Sequence, residues 1–207
     1  MKTTDKIDLY KQNKLDYTAK KAPVLLDIGE AIYLSIDGRG EPGGTVFTDK
    51  IGALYGVAFT VKMTRKFAGE QDYAVSKLEA QWWAEGAEQC LARASKDQWC
   101  WKLLIRTPDF VTGDDLSKAA AVLIKRGKSP SAKEVRLEPL AEGKCVQMLH
   151  VGPYEREPET IALMKDFAET KGYQFHGRHH EIYLSDPRRV PAEKLKTILR
   201  VPVISQQ

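Results

Sequence analysis

The order strand, helix, strand, strand occurs twice along the chain, and this repeat restricts the fold more than any other feature of the sequence. In the first half, EAIYLSI (30–36) is typical of a strand. TVFTDKIGALYGVAFTVKM (45–63) carries apolar residues at the i, i+4, i+7, i+8 spacing of a buried helix face. Two further strands are predicted at 73–83 and 99–106. The first half is therefore predicted to be a β-α-β-β unit.

The second half repeats the same order of elements with a different sequence. The predicted elements are a strand at 145–151, a helix at 159–173, a strand at 179–185 and a last strand at 196–203. A helix at 113–127 and a strand at 133–140 are predicted to connect the halves. Two such units side by side would form an antiparallel sheet with its helices on one face.

We therefore predict an α+β fold of duplicated β-α-β-β units related by pseudo-twofold symmetry, with a ligand pocket between the halves. We expect residues 1–207 to form a single domain. The first repeat is expected at about 24–110, the connecting helix and strand at about 113–140, and the second repeat at about 143–204.

Composition narrows the functional classes. The chain is 43% hydrophobic and 29% charged, which is typical of a soluble globular protein. No apolar run is long enough to span a bilayer and no signal peptide opens the chain, so we expect no membrane association and a cytoplasmic location. Cys90, Cys100 and Cys145 are odd in number and lack CxxC spacing, which disfavours disulfides. The net charge of +4 is spread along the chain, so we expect no direct binding of nucleic acid.

The segment FHGRHHE brings three histidines and a glutamate close together in sequence, which suggests a metal site. On a strand, however, only His179 and Glu181 share a face, and the sequence specifies no third ligand. Catalytic zinc normally takes three protein ligands. We therefore expect neither a metal nor a cofactor.

Alternation along HHEIYLS divides its side chains between two faces of the sheet. Glu181 and Tyr183 lie on one face, and Ile182 and Leu184 on the other. Because Ile182 and Leu184 are apolar, we expect them to pack against the helices, which turns Glu181 and Tyr183 to the open face. Alternation alone favours an ordinary solvated charge at Glu181, since most exposed carboxylates have no special role.

The two central strands of the first half carry all four tryptophans. In VSKLEAQWW, alternation places Glu79 and Trp83 on one face and Trp82 on the other, so at least one indole should face the predicted pocket. Each tryptophan taken alone is as well explained by the core. Together with Tyr154 and Tyr183, they suggest an aromatic cage, which stabilises a positive charge.

Five segments together resemble the GyrI-like small-molecule-binding proteins, over about residues 9–203. They are DYTAKKAPVLLDIGEAIYLSIDGRGEP, IGALYGVAFTVKM, VSKLEAQWW, LHVGPYEREPETI and HEIYLSDPRRVPAEKLKTILRVPV. The resemblance implies a duplicated fold with a ligand pocket between the halves. Relatives include effector domains of multidrug-sensing regulators and gyrase-inhibitory proteins. Some stand-alone members hydrolyse the cyclopropane ring of DNA-alkylating natural products.

The resemblance also implies roles for particular residues. Glu181 would be the pocket carboxylate that acts as a base or orients water, and we expect Glu79 to be its partner carboxylate. The expected ligand-binding residues are aromatic, namely Trp82, Trp83, Trp101, Tyr154, Tyr183 and Tyr55. Lys77, Ala80 and Gln81 depart from the residues usual in the tryptophan segment, which affects the identity of the substrate more than the fold.

Three classes of function remain open from the sequence. The first is a hydrolase that opens the cyclopropane ring of reactive alkylating compounds and gives detoxification or drug resistance. The second is non-catalytic binding or sequestration of polycyclic or cationic drugs, and the third is a gyrase-inhibitor-like role with a protein partner. The polar 22-residue start of the sequence, MKTTDKIDLYKQNKLDYTAKKA, is too short for a helix-turn-helix domain, which disfavours a transcription regulator. In the first two classes the partner is a hydrophobic or aromatic small molecule.

Overall fold

A computed structural model describes residues 5–84 and 95–206 of the chain. The strands are β1 (Val24–Ile28), β2 (Ala31–Arg39), β3 (Glu79–Ala84), β4 (Trp99–Arg106), β5 (Arg136–Leu140), β6 (Gly143–Val151), β7 (Tyr173–Phe175), β8 (His179–Tyr183) and β9 (Lys196–Ser205). The helices of four or more α-helical residues are α1 (Leu9–Gln12), α2 (Thr45–Phe67), α3 (Gly113–Lys125) and α4 (Glu157–Thr170).

Each repeat contributes its first, third and second strand, in that order, from the outside of the sheet to its centre. This symmetry confirms the predicted duplication. The order is β1-β6-β9-β8-β3-β4-β2-β5, with β7 pairing beside β9, and all of these pairings are antiparallel. The first repeat is β2-α2-β3-β4 and the second is β6-α4-β8-β9. Their second strands, β3 and β8, pair at the centre of the sheet, so the two repeats meet along β3 and β8.

The two repeat helices pack against the same face of this sheet. In the first repeat, Leu54 and Val57 of α2 pack with Trp101 and Leu103 of β4. In the second repeat, buried residues of α4 form a separate cluster with β6 and β9; its members include Val146, Met164, Ala168 and Leu199. The predicted α+β class with helices on one face is therefore confirmed. We call the helix-side face along β3 and β8, between α2 and α4, the groove.

The opposite face of the sheet is covered by the N-terminal segment, residues 5–23. Tyr17 of this segment is buried with Ile182 of β8 and Ile198 of β9, and Tyr10 stacks on Tyr17 with ring centroids 3.8 Å apart. The prediction that Ile182 and Leu184 pack against the helices is therefore wrong. The sequence pattern gave no sign that a segment without regular strands would supply the apolar cover on this side.

Element boundaries differ from the predictions in several places. The strand predicted at 73–83 is confined to β3, and β1 and β7 are additional short strands. β1 precedes the first repeat in sequence but pairs with β6 of the second. Cys100 and Cys145 are buried free thiols, whereas Cys90 lies outside the described residues. Within residues 5–84 and 95–206, no helix is both long and apolar enough to cross a membrane.

Candidate functional site between the two repeats

Glu181 lies on the helix-bearing face of the sheet, in the groove between the two cores. On β8 it is paired with Ala80 of β3 and Leu199 of β9, and both of these side chains belong to the helix-side cores. Directly paired residues of antiparallel strands project to the same face, so Glu181 must do so as well. Only 12% of its side chain is exposed. The face expected to be open therefore carries the helices, and Glu181 is largely buried on this face, between α2 and α4.

Aromatic side chains from both repeats surround the Glu181 carboxylate. The hydroxyl of Tyr183, two residues along β8, hydrogen-bonds to Glu181 and accepts a hydrogen bond from Nε1 of Trp82 at 3.3 Å. Tyr154 contacts Tyr183 edge to face, with ring centroids 6.1 Å apart. Burial, followed by the negative charge of Glu181, raises the pKa of Tyr154 to about 12. Both tyrosines therefore remain neutral hydrogen-bond donors at physiological pH.

The second carboxylate of the site is Glu157, the first residue of α4. Its side chain is buried, and its Oε1 has no hydrogen-bond partner among the described residues. Glu157 lies beside Glu181 and His179, with one ligand atom of each residue within 4.8 Å of the others. Burial, followed by the charge of Glu181, raises the pKa of Glu157 well above its usual value. The first turn of a helix also favours a negative charge through the helix dipole.

His150 of β6 fixes the turn that carries Tyr154 and leads into Glu157. Its Nε2 lies 3.1 Å from the carbonyl oxygen of Pro153, and its Nδ1 lies 2.9 Å from the hydroxyl of Thr160. Because a carbonyl oxygen only accepts, Nε2 carries the proton and Nδ1 accepts from Thr160. His150 is thus a positioning residue that ties the turn to the first turns of α4.

Two other predicted ligand-binding residues lie on the helix side but differ in access. Tyr55 of α2 is partly buried, and the backbone of Leu78 hydrogen-bonds to its hydroxyl, while the carbonyl of Leu78 accepts from the Tyr183 amide at 3.1 Å. These contacts place Tyr55 beside the strand pair that carries the groove. Trp101 is fully buried, and its indole donates to the carbonyl of Gly40 at 3.2 Å. Trp101 therefore packs in the core of the first repeat, where it has no exposed surface.

Glu79 and Trp83 lie on the opposite face of the sheet from Glu181. Glu79 pairs with Ile182 in the register of β3 and β8, and it is fully buried. Its carboxylate accepts from the Tyr17 hydroxyl at 3.1 Å and lies 3.1 Å from Nε2 of His180. The expected pairing of Glu79 with Glu181 is therefore not formed. Glu79 is the partner of Ile182, and the consecutive residues Glu181 and Ile182 point to opposite faces of the sheet. On that face the Arg178 guanidinium stacks on Trp83, 3.6 Å from the ring centroid.

A buried ionic network surrounds Glu79 on this face. His180 bridges Glu79 and Glu142, with 2.8 Å between its Nδ1 and Oε1 of Glu142. Arg200 donates to Oε2 of Glu142 at 2.8 Å and to Gln147 at 2.8 Å. Burial alone would raise the pKa of Glu142, but the charges of His180 and Arg200 outweigh burial and lower it to about 2. These contacts make Glu79 part of a buried ionic network that joins the two repeats.

Comparison with known proteins fits this geometry. The family model for the GyrI-like small molecule binding domain matches residues 103–204. The solved structure of an uncharacterized conserved protein from Listeria innocua is 40% identical, with a TM-score of 0.88, over 96% of this chain and 100% of that one. This chain belongs to the GyrI-like family.

Two further structures similar to this GyrI-like protein are described as hydrolases, both from Listeria innocua. They are 38% and 39% identical, with TM-scores of 0.86 and 0.87, and cover 96% and 97% of this chain and 100% of their own. No protein with a curated description matches the chain. The GyrI-like assignment establishes a small-molecule-binding domain, and the term hydrolase applies to those two Listeria proteins.

Sequence reasoning about this GyrI-like domain missed Glu157 and His150. Both lie in or beside LHVGPYEREPETI, one of the segments that carried the family resemblance. Glu157 lies two residues before the predicted helix at 159–173, in the loop after Gly152-Pro153, and a carboxylate close to a helix start was the available signal for it. That signal does not specify which strand the carboxylate faces, so its meeting with Glu181 required the structure.

Proposed function

We propose that this protein is a hydrolase that opens the cyclopropane ring of reactive DNA-alkylating compounds by addition of water, and so protects the cell. The observation that carries the proposal is the placement of Glu181. Its carboxylate is largely buried in a groove walled by Trp82, Tyr154 and Tyr183. A carboxylate held in such surroundings interacts more strongly with a reacting water or a developing positive charge than one in bulk solvent.

The proposed reaction is the addition of water to a ring carbon of a spirocyclopropane conjugated to a carbonyl group. The water oxygen forms a bond to this carbon while the carbon–carbon bond of the ring breaks. The electron pair of that bond moves into the conjugated carbonyl, whose oxygen becomes a phenolate or enolate and takes up a proton. Glu181 orients the attacking water or accepts its proton. One water is consumed, and no oxidant or reductant is needed.

The aromatic side chains suit the remainder of such a substrate. Trp82 is stacked with Phe47 and meets Trp99 edge to face, with ring centroids 5.6 and 5.9 Å apart. These contacts and its hydrogen bond to Tyr183 fix the indole plane. Fixed aromatic faces bind flat aromatic ligands and stabilise positive charge. The hydrolase descriptions of the similar Listeria proteins support a reaction with water at this groove.

The test is turnover of a spirocyclopropane alkylator by purified protein, followed by mass spectrometry. We expect wild type to form more than one equivalent of the water adduct. Glu181→Gln, which keeps the size of the side chain, should lower the rate about 100-fold or more, because positioned proton transfer contributes roughly 10²–10⁴-fold. Glu155→Gln is the matched control, since Glu155 is an exposed carboxylate close to the site in sequence. Equal turnover by Glu181→Gln would sink the proposed role of Glu181.

Sequestration without chemistry is the second candidate, because the same aromatic groove would bind such a compound without consuming it. It predicts a stable complex of one ligand per chain and no water adduct beyond one equivalent. Trp82→Phe removes the indole N–H that donates to Tyr183. Under sequestration this change should weaken ligand binding, and neither wild type nor the variant should show turnover.

A further inference from the structure

Three potential metal ligands converge in the groove between the repeats. His179 and Glu181 come from one face of β8, and Glu157 comes from the start of α4. One nitrogen or oxygen atom from each of these three lies within 4.8 Å of the other two. The His179 Nε2 to Glu181 Oε1 distance is 3.4 Å. Two ligands on a tetrahedral zinc ion are separated by about 3.3–3.6 Å, given zinc–ligand distances of roughly 2.0–2.2 Å.

Two polar atoms of these residues have no hydrogen-bond partner within the part of the chain that the structure describes. They are Oε1 of Glu157 and Nε2 of His179, and both residues are more than nine-tenths buried. The 3.4 Å contact between His179 and Glu181 lacks the geometry of a hydrogen bond. Buried polar atoms are nearly always paired, so two unpaired atoms on residues that meet in one cluster indicate a ligand between them.

The charges around the cluster indicate that this ligand is positive. Two carboxylates lie close together where little water reaches them, and such a pair repels unless it holds a proton or a cation between its members. Within the described residues, Glu157 and Glu181 form no ion pair with a lysine or an arginine. A proton shared by the carboxyl groups is the simplest alternative, but it leaves Nε2 of His179 without a partner.

We propose that Glu157, His179 and Glu181 bind one divalent transition-metal ion, with Zn²⁺ as the best match. One imidazole and two carboxylates are a ligand set that zinc accepts, and three protein ligands leave a position for water. The Tyr183 hydroxyl, which hydrogen-bonds to Glu181, supplies the outer contact that orients a ligating carboxylate. The sequence specified only two of these ligands on one face, and Glu157 is the third. The proposal goes beyond hydrolysis and does not depend on it.

The test is titration of tag-free protein, stripped with a chelator, with ZnCl₂ in a calorimeter, together with the metal content after dialysis. We expect one zinc ion per chain. His179→Asn and Glu157→Gln should each weaken binding by about tenfold or more. His176→Asn is the matched control because His176 is exposed and three residues away, and its affinity should equal that of wild type. Circular dichroism checks that each variant folds. If His179→Asn does not fold, the near-isosteric variant Glu157→Gln still tests the metal site.

The proposal is overturned if stripped wild type shows no saturable zinc binding, or if His176→Asn lowers the affinity while His179→Asn and Glu157→Gln do not. Turnover of the spirocyclopropane alkylator is then measured with zinc and with chelator. Zinc binding without turnover would support the metal site and count against the hydrolase. Turnover in chelator by a protein that binds no zinc would support the hydrolase and remove the metal site.

Discussion

At the scale of single residues, the packing of Trp101 depends on the absence of a side chain opposite it. Gly38 of β2 is the register partner of Trp101 of β4, and the indole lies over the glycine. A Cβ atom at position 38 would lie 2.0 Å from Cη2 of Trp101. The ring is also held by Phe47, edge to face with centroids 5.0 Å apart, and by its hydrogen bond to Gly40. It therefore has little freedom to move aside.

We predict that Gly38→Ala lowers the free energy of unfolding by about 1–3 kcal/mol, the usual cost of overpacking a core. Gly29→Ala is the control, because a Cβ at Gly29 meets nothing within 4 Å, and its effect should stay within about 0.5 kcal/mol. Urea unfolding followed by tryptophan fluorescence measures both variants. Equal stabilities for the two variants would show that the Trp101 ring is not confined as described.

The candidate site was predictable at this scale only in part. Glu181, Tyr183, Trp82 and Tyr154 were named from the sequence, and the structure brings these four together. Glu157 was not named, because its proximity to Glu181 depends on how α4 lies over β8 and no periodicity along one element reports that. The catalytic and ligand-binding roles assigned to these residues remain predictions.

At the scale of elements, alternation along β8 grouped the side chains correctly but assigned the groups to the wrong sides. His179, Glu181 and Tyr183 do share a face, as alternation requires. That face is the one under the helices, whereas Ile182 packs against Tyr17 of the N-terminal segment. Alternation is symmetric between the two faces of a sheet. When both faces are covered, apolar side chains no longer identify the helix side.

The N-terminal segment covers charged groups as well as apolar ones. The backbone carbonyl of Asp16 accepts from Arg200, the Asp16 carboxylate accepts from Arg106 at 2.9 Å, and Tyr17 donates to Glu79. Buried charges are tolerated only when they are paired and hydrogen-bonded. The N-terminal segment therefore helps to stabilise the buried charges of Glu79 and Arg200. Its hydrogen bonds connect it to strands of both repeats.

This network predicts how stability depends on pH on the acid side. The pKa of Glu142 is about 2 in the folded protein against an ordinary value of 4.5, so its ionised form stabilises the fold above pH 4.5. That contribution, on the order of 3 kcal/mol, is lost as the pH falls from 4.5 through 2. Glu142→Gln should be less stable than wild type at pH 7 and should lose less further stability over this window.

Urea unfolding at a series of pH values between 7 and 2 measures this difference. Asp27→Asn serves as the control, since Asp27 is mostly exposed and 3.5 Å from Lys144. Its pH profile should parallel that of wild type. A Glu142→Gln profile that also parallels wild type would show that Glu142 is not the carboxylate responsible for the acid sensitivity.

At the scale of the whole molecule, the groove exists because two similar units join along β3 and β8. The duplication was predictable, since each unit carries its own strand, helix and strand pattern. The pairing of β1 with the second repeat was not predictable, because the sequence of a short strand does not indicate which distant strand it pairs with. Joining the repeats through their second strands places Trp82 of one beside Tyr183 of the other. A site at this junction requires both repeats.

The junction also predicts that the two repeats unfold as one unit. The sheet is continuous across β3 and β8, and the buried network joins Glu79 of the first repeat to His180 and Arg200 of the second. Separating the repeats would expose those charges without partners, which is costly. Unfolding of one repeat should therefore bring about unfolding of the other.

Two local probes test this cooperativity. All four tryptophans lie between residues 82 and 101, so their fluorescence reports the first repeat. Cys145 of β6 reports the second, because it is buried and burial raises the pKa of its thiol to about 12, which suppresses labelling in the folded state. In a variant that keeps Cys145 as its single cysteine, pulsed thiol labelling and tryptophan fluorescence should give coincident urea transitions. Labelling of Cys145 at lower urea than the fluorescence change would mean that the second repeat opens while the first remains folded, and the network would then not couple the two.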